Sequence, residues 1–321
     1  MIKHKKLSCL LIPACLLIFT LIWRNINIKE HYEFKIGIIQ FVEHEALDAS
    51  RNGFIDGLKR EKFNVKINYK NAQGDQANCT LIANQFISEN YDIILAIGTP
   101  AAECVAAATS KIPILVVAVT NPEESGLVRS NEKPETNVTG VSDLPPISKQ
   151  ISLIKDLKPK AQKIGILFSS SEANSGYQAK KAYEESKKIG LKSEFFTFSQ
   201  MTEIQQVVES MIGKVDAIYT PTDNMVATNM KLISKVALQN KIPVICGDEN
   251  LICKGAVGTF GVDYYELGKI AATQALDILT NKNTPQNMNI KYVNNSKLSL
   301  NYEILDKLGI KLSEKLKGEL Q

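Results

Sequence analysis

The sequence predicts an α/β protein of two doubly wound parallel-sheet lobes, and three observations carry that reading. Apolar runs such as 35–41 and 163–168 are continuous rather than alternating, which marks strands covered on both faces. These runs alternate along the chain with helical patterns. Short segments also recur in the same order in the two halves. Lys35-Ile36-Gly37-Ile38 returns as Lys163-Ile164-Gly165-Ile166, Thr99-Pro100 as Thr220-Pro221, and Lys111-Ile112-Pro113 as Lys241-Ile242-Pro243, at offsets between 121 and 130 residues. Three matches in order argue for two copies of one βα architecture. A chain of 321 residues suits this, being too long for one ordinary core and enough for two lobes of roughly 100–150 residues each.

In the first half, strands are predicted at 35–41, 65–69, 92–97 and 114–119, with helices at 47–60, 78–88 and 101–109 between them. Ala49, Gly53, Phe54 and Leu58 share one face of the first helix. The segment 138–141, followed by Ser142-Asp143-Leu144-Pro145-Pro146, reads as a hinge strand, because proline removes donors and stiffens the chain. The second half offers strands at 163–168, 194–198, 217–219 and 244–246 and helices at 175–189, 203–212 and 226–239. A strand at 256–261, a long amphipathic helix at 264–279 and strands near 290–292 and 297–300 follow. These last elements suit a chain that crosses between lobes more than once.

The first 29 residues are a targeting segment. Residues 1–6 are short and basic, and 7–23 are apolar except for Ser8, Thr20 and two cysteines. No small-x-small cleavage site follows, so either the segment stays as an anchor or Cys15, behind Ile12-Pro13-Ala14, is lipidated. Both readings place the globular part outside the cytoplasm, attached to the cell membrane. The formal charge of +4 belongs to this segment: without residues 1–29, 33 basic residues face 34 acids. Nothing in that balance points to nucleic acid or an anionic membrane surface as the partner of the folded part. Cys79, Cys104, Cys246 and Cys253 are scattered, with no C-x-x-C and no metal set. They are either buried small hydrophobes or, for Cys246 and Cys253, a disulfide across a loop.

Ligands of open α/β sheets sit outside the carboxyl ends of the strands. Topology therefore nominates Gln40, Phe41, Glu43 and His44 after the first strand, Gly98-Thr99 after the third and Thr120-Asn121 after the fourth. From the second half it nominates 169–175, 220–224 and Gly247-Asp248-Glu249. Thr99 is a good helix N-cap with Pro100 at the first helical position, so free N–H groups at that terminus either favour a carboxylate or serve capping alone. Phe41 either stacks on a ligand or packs in the core. Asp223, Asp248 and Glu249 either pair with an ammonium group or cap turns and helices. No G-x-S-x-G, H-E-x-x-H, P-loop or G-x-G-x-x-G occurs, so no catalytic residue, metal or cofactor is nominated.

Six blocks resemble a known family. They are IGIIQFVEHEALDA (36–49), NAQGDQAN (71–78), GTPAA (98–102), GVSDL (140–144), DAIYTPTDN (216–224) and GVDYYELG (261–268). In this order they are similar to the ABC-transporter substrate-binding proteins of the tryptophan/tyrosine-binding type, over about residues 34–310. The family often shows Ala where this chain has Gly98, and a clear lipobox where this chain has Ile12-Pro13-Ala14-Cys15.

The resemblance implies a type I periplasmic binding fold, whose lobes are joined by a three-strand hinge and close on ligand. Lobe 1 would comprise 34–143 plus 263–290, and lobe 2 would comprise 144–262 plus 291–321. It implies that hydroxyls of Thr99 and Thr120 hold a ligand carboxylate and that Asp248, or less directly Asp223, holds its ammonium. Gln40, Phe41, Asp143, Asn174, Thr222 and Asn224 complete the implied binding set. The function implied is a monomeric extracytoplasmic solute-binding protein, not an enzyme, that hands an aromatic amino acid to the permease and ATPase of an ABC importer. The alternative is a sensor that presents its ligand-bound form to a membrane receptor.

Overall fold

The computed structural model describes residues 34–293 and 296–319; the leading segment read as a targeting signal lies outside them. Two six-stranded sheets form the framework. The first contains β1 (Phe34–Gln40), β2 (Val65–Asn71), β3 (Ile93–Ile97), β4 (Ile114–Val117), β5 (Val138–Ser142) and β11 (Lys291–Tyr292), in the order β11-β5-β4-β3-β1-β2. The second contains β6 (Lys163–Ser169), β7 (Lys192–Phe198), β8 (Ala217–Thr220), β9 (Val244–Cys246), β10 (Gly258–Gly261) and β12 (Lys297–Leu300), in the order β12-β10-β9-β8-β6-β7. Strands two-one-three-four-five of one sheet thus correspond to seven-six-eight-nine-ten of the other, which is the duplication expected. Every pairing is parallel except that of β10 with β12.

The repeated Lys-Ile-Gly-Ile has a packing cause. A Cβ on Gly37 would lie 2.6 Å from the ring of Phe86, and one on Gly165 would collide with Met211 Cε. In each lobe, glycine in the first strand admits a large side chain from the helix covering the sheet.

The helices are α1 (Glu45–Arg60), α2 (Gln76–Ser88), α3 (Thr99–Ala108), α4 (Ile147–Leu157), α5 (Ala173–Lys188), α6 (Ile204–Met211), α7 (Asn224–Gln239), α8 (Tyr264–Leu279), α9 (Tyr302–Leu308) and α10 (Glu314–Gly318). Aspartate caps recur at their starts: Asp75 accepts from Asn78 N, Asp223 from Val226 N and Asp263 from Glu266 N.

Several local expectations are corrected. Residues 138–141 are no hinge but part of a fully buried fifth strand, because four apolar-to-small residues in register with β4 extend the sheet. The crossing follows Ser142, and Pro145-Pro146 lead into α4, which was not foreseen. Ile147, Ile151, Leu153, Ile154 and Leu157 make its buried face, and proline is harmless before a first turn. Lys291 and Tyr292, on the second-lobe side of the expected boundary, pair with Val141 and Ser142 in the first sheet. Thr99 does not cap α3: Gly98, with φ +94°, occupies the cap position, so the helix starts one residue early and Thr99 lies inside its first turn.

The chain passes between the sheets after β5, after β10 and between β11 and β12. After the second passage α8 packs along α1. The fit is tight, since a Cβ on Gly53 would meet the carbonyl oxygen of Tyr265 and one on Gly268 that of Ser50, with Gly57 facing Ala272. Backbone on both sides leaves no flexible group to yield. Gly268→Val is therefore expected to cost about 3 kcal/mol or more, seen as a lowered midpoint in urea or thermal unfolding.

Candidate ligand-binding site

The carboxyl ends of both sheets face one small cleft. From the first lobe come His44, Leu47 of α1 and Ala118. From the second come Asn174, Thr222, Asp223, Asn224, Ala227, Asp248 and Leu251, while Asp143 and Tyr264 come from two of the passages between sheets. Ala118 takes φ +55°, a left-handed backbone that costs a non-glycine residue about 1–2 kcal/mol and turns the chain sharply out of β4 toward Thr120.

Asp143 is the centre of the site. Thr120 Oγ1 donates to its Oδ1 at 3.0 Å and Tyr264 Oη to its Oδ2 at 3.0 Å. Gln178 Nε2, from the second lobe, donates to Thr120 Oγ1 at 2.9 Å and also to Thr222 Oγ1, and Thr222 N donates to Gln178 Oε1 at 3.2 Å. The lobes also meet where His44 Nε2 lies 3.1 Å from Asn224 Oδ1, and where Lys254 pairs with Glu45.

The remaining acids differ in how they are satisfied. Asp223 is held by backbone, with Ser169 N on Oδ2 at 2.7 Å and Val226 N on Oδ1 at 2.9 Å. Glu172 takes Asn224 N, Asn224 Nδ2 and Met225 N, so it covers the start of α7. Asp248 receives Asn250 N and Nδ2 on Oδ1 only, each at 2.9 Å. Among the described residues no donor reaches its Oδ2, and Oδ1 of the buried Asn174 is likewise without one.

Of the residues nominated from sequence, His44, Asp143, Asn174, Thr222, Asp223, Asn224 and Asp248 line this cavity together, with Thr120 directly behind Asp143. Gln40 and Phe41 stand elsewhere. Gln40 binds Val42 O, Asp48 and Arg51 and ties the end of β1 to α1, and Phe41 belongs to the first lobe's core. Thr99 is buried and its Oγ1 has no partner, but it is not among the lining residues. Gln178 and Tyr264 were not nominated, and Glu172 was nominated only as part of the stretch 169–175. Gln178 lies one turn beyond Asn174 on the same helical face, a spacing that could have revealed it. Tyr264 was visible only as a letter of the GVDYYELG block. Cys246 and Cys253 are both free thiols.

Burial raises the carboxyls of Asp143, Glu172, Asp223 and Asp248. For Asp143 burial outweighs the two hydroxyl donors and pushes it up to about 6. A folded-state value above that of the unfolded chain gives stability that is whole below about pH 4 and lost as pH rises through about 6. Asp143→Asn lacks this titration. Its unfolding free energy relative to wild type should therefore rise by about 3 kcal/mol between acid and neutral pH, above a constant offset from the lost acceptor. Denaturation of both proteins across that range tests this, and a flat difference would refute it.

The comparisons with known proteins agree with this architecture. Residues 35–319 match the family model described as ABC transporter substrate binding protein. The tyrosine-binding protein of Clostridioides difficile (strain R20291) is 39% identical over 297 residues, covering 88% of this chain and 86% of that protein. A Streptococcus pneumonia ABC domain in complex with L-Trp is 34% identical with a TM-score of 0.87, over 89% of this chain and 98% of the other. The ligand-free, open structure of a substrate-binding protein with adhesive properties from Clostridium difficile is 39% identical with a TM-score of 0.69, over 88% and 96% of the two chains. A match over nearly the whole described fold, with two facing parallel-sheet lobes, means that this chain belongs to the ABC transporter substrate-binding protein family.

Proposed function

We propose that this chain is the extracytoplasmic solute-binding component of an ABC importer and that it takes an aromatic amino acid, tryptophan or tyrosine, between its lobes. The observation that carries the reading is a site lined both by Asn174, whose buried Oδ1 has no donor, and by Asp248, whose Asn250 donors both sit on Oδ1. Leaving the buried Asn174 Oδ1 without a donor costs about 1–3 kcal/mol, and an ammonium group offers both a donor for such an acceptor and a counter-charge for Asp248. Leu47, Ala118, Ala227 and Leu251 offer apolar wall to a side chain. Relatives point the same way, one named for tyrosine and one holding L-Trp.

Binding would begin on parted lobes and end on closed ones. His44 with Asn224, Glu45 with Lys254 and Thr120 with Gln178 are contacts that an open state gives up. The higher TM-score to the L-Trp complex than to the open relative, 0.87 against 0.69, fits the closed arrangement. The leading segment would hold the protein at the membrane, by its apolar run or by a lipid on Cys15, beside the permease and ATPase it serves.

A thermal-shift screen against the twenty amino acids tests the ligand. A ligand at a hundred times its dissociation constant stabilises by about 2.7 kcal/mol. A response confined to tryptophan, tyrosine and phenylalanine is expected, and silence across all twenty would overturn the assignment. Asp248→Asn should weaken binding of the responding amino acid by roughly 2 kcal/mol or more in calorimetry, since the ammonium loses its counter-charge.

A further inference from the structure

Two of the four cysteines in the described fold share one helix–helix seam. Cys79 lies on the inner face of α2, wholly buried with Ala83 and Phe86. Cys104 lies on α3, half-buried, and the two helices pack side by side. Cys104 Sγ reaches 3.8 Å from the carbonyl oxygen of Gln76, which is one turn before Cys79 on the same face of α2. Cys246 and Cys253 are spent differently, donating to Asp248 O at 3.2 Å and Asn250 O at 3.1 Å.

We propose that Cys79 and Cys104 are a redox pair that closes to a disulfide between α2 and α3 on meeting an external disulfide such as oxidised glutathione. Their placement sets the order of events. Burial first, and then the neighbouring Cys104 thiol, push Cys79 up to about 12, so Cys79 stays protonated and shielded. Cys104 is the solvent-reached sulfur and attacks first as its thiolate. One external sulfur leaves as a thiol and the other remains on Cys104 as a mixed disulfide. Cys79 then attacks the Cys104 sulfur and passes its proton to the second departing thiol. One external disulfide is reduced to two thiols, and two protein thiols become one bond. On the extracytoplasmic placement proposed above the chain meets such oxidants, whereas cytosolic thiols are kept reduced. The bond would fasten the helix that starts at Thr99 to its neighbour without entering the cavity.

Incubation of the full chain with oxidised glutathione, blocking of remaining thiols with iodoacetamide and unreduced peptide mapping test this directly. The expected result is a cross-linked peptide pair containing Cys79 and Cys104, with Cys246 and Cys253 carrying the blocking group. A melting temperature higher by roughly 5–10 °C should accompany it. Cys104→Ser should abolish both changes, and Cys79→Ala should leave glutathione trapped on Cys104. If wild type instead retains glutathione on Cys104, or both cysteines carry only the blocking group, the pairing is overturned.

Discussion

Two hydroxyl donors on one buried carboxylate hold the binding region in shape. Thr120 sits on the turn after β4, Asp143 where the chain first leaves the first sheet, and Tyr264 where it returns to it. A charge without solvent is costly, and fixed hydroxyls recover part of what water would have supplied. Because each donor comes from a different passage of the chain, the bonds register three otherwise independent segments. The tight packing of α8 on α1 then fixes where Tyr264 begins. The cavity inherits its walls from that registration.

The site has a marked excess of acid, and the way each carboxylate is satisfied decides which is free for a ligand. Glu172 and Asp223 are occupied by backbone N–H groups around the start of α7, where the helix dipole favours negative charge. Asp143 is occupied by hydroxyls. Asp248 alone keeps an oxygen for something arriving from outside. His44 and Lys254 favour its charged form, but burial is the larger effect and raises its carboxyl. An arriving cation would tip that balance toward the ionised acid.

Much of this was legible in the residues themselves. The lobes announced themselves because both copies solve the same packing problem at Gly37 and Gly165, so the same letters recur. Thr222, Asp223, Asn224 and Asp248, which the strand-end rule named, lie together at the mouth of the second sheet, since the loops after β8 and β9 are short and have nowhere else to go. Gln40 and Phe41, nominated by the same rule, lie where the chain continues along the core before turning out, with Phe41 N bonded to Ile97 O. Tyr264 escaped because its neighbours Thr120 and Asp143 are distant in sequence and meet it only after the chain has crossed twice. Helix α4 escaped because a double proline reads as an interruption when it is in fact an entrance.

The position of β1 has a mechanical consequence. Phe34, the first described residue, starts a strand bonded on both sides, to β2 along all seven residues and to β3 along five. Both ladders are parallel to it, so tension arriving through the residues before Phe34 would load them in shear, sharing the force across many bonds at once instead of peeling them singly. A fold hung from that end resists pulling best where it is held.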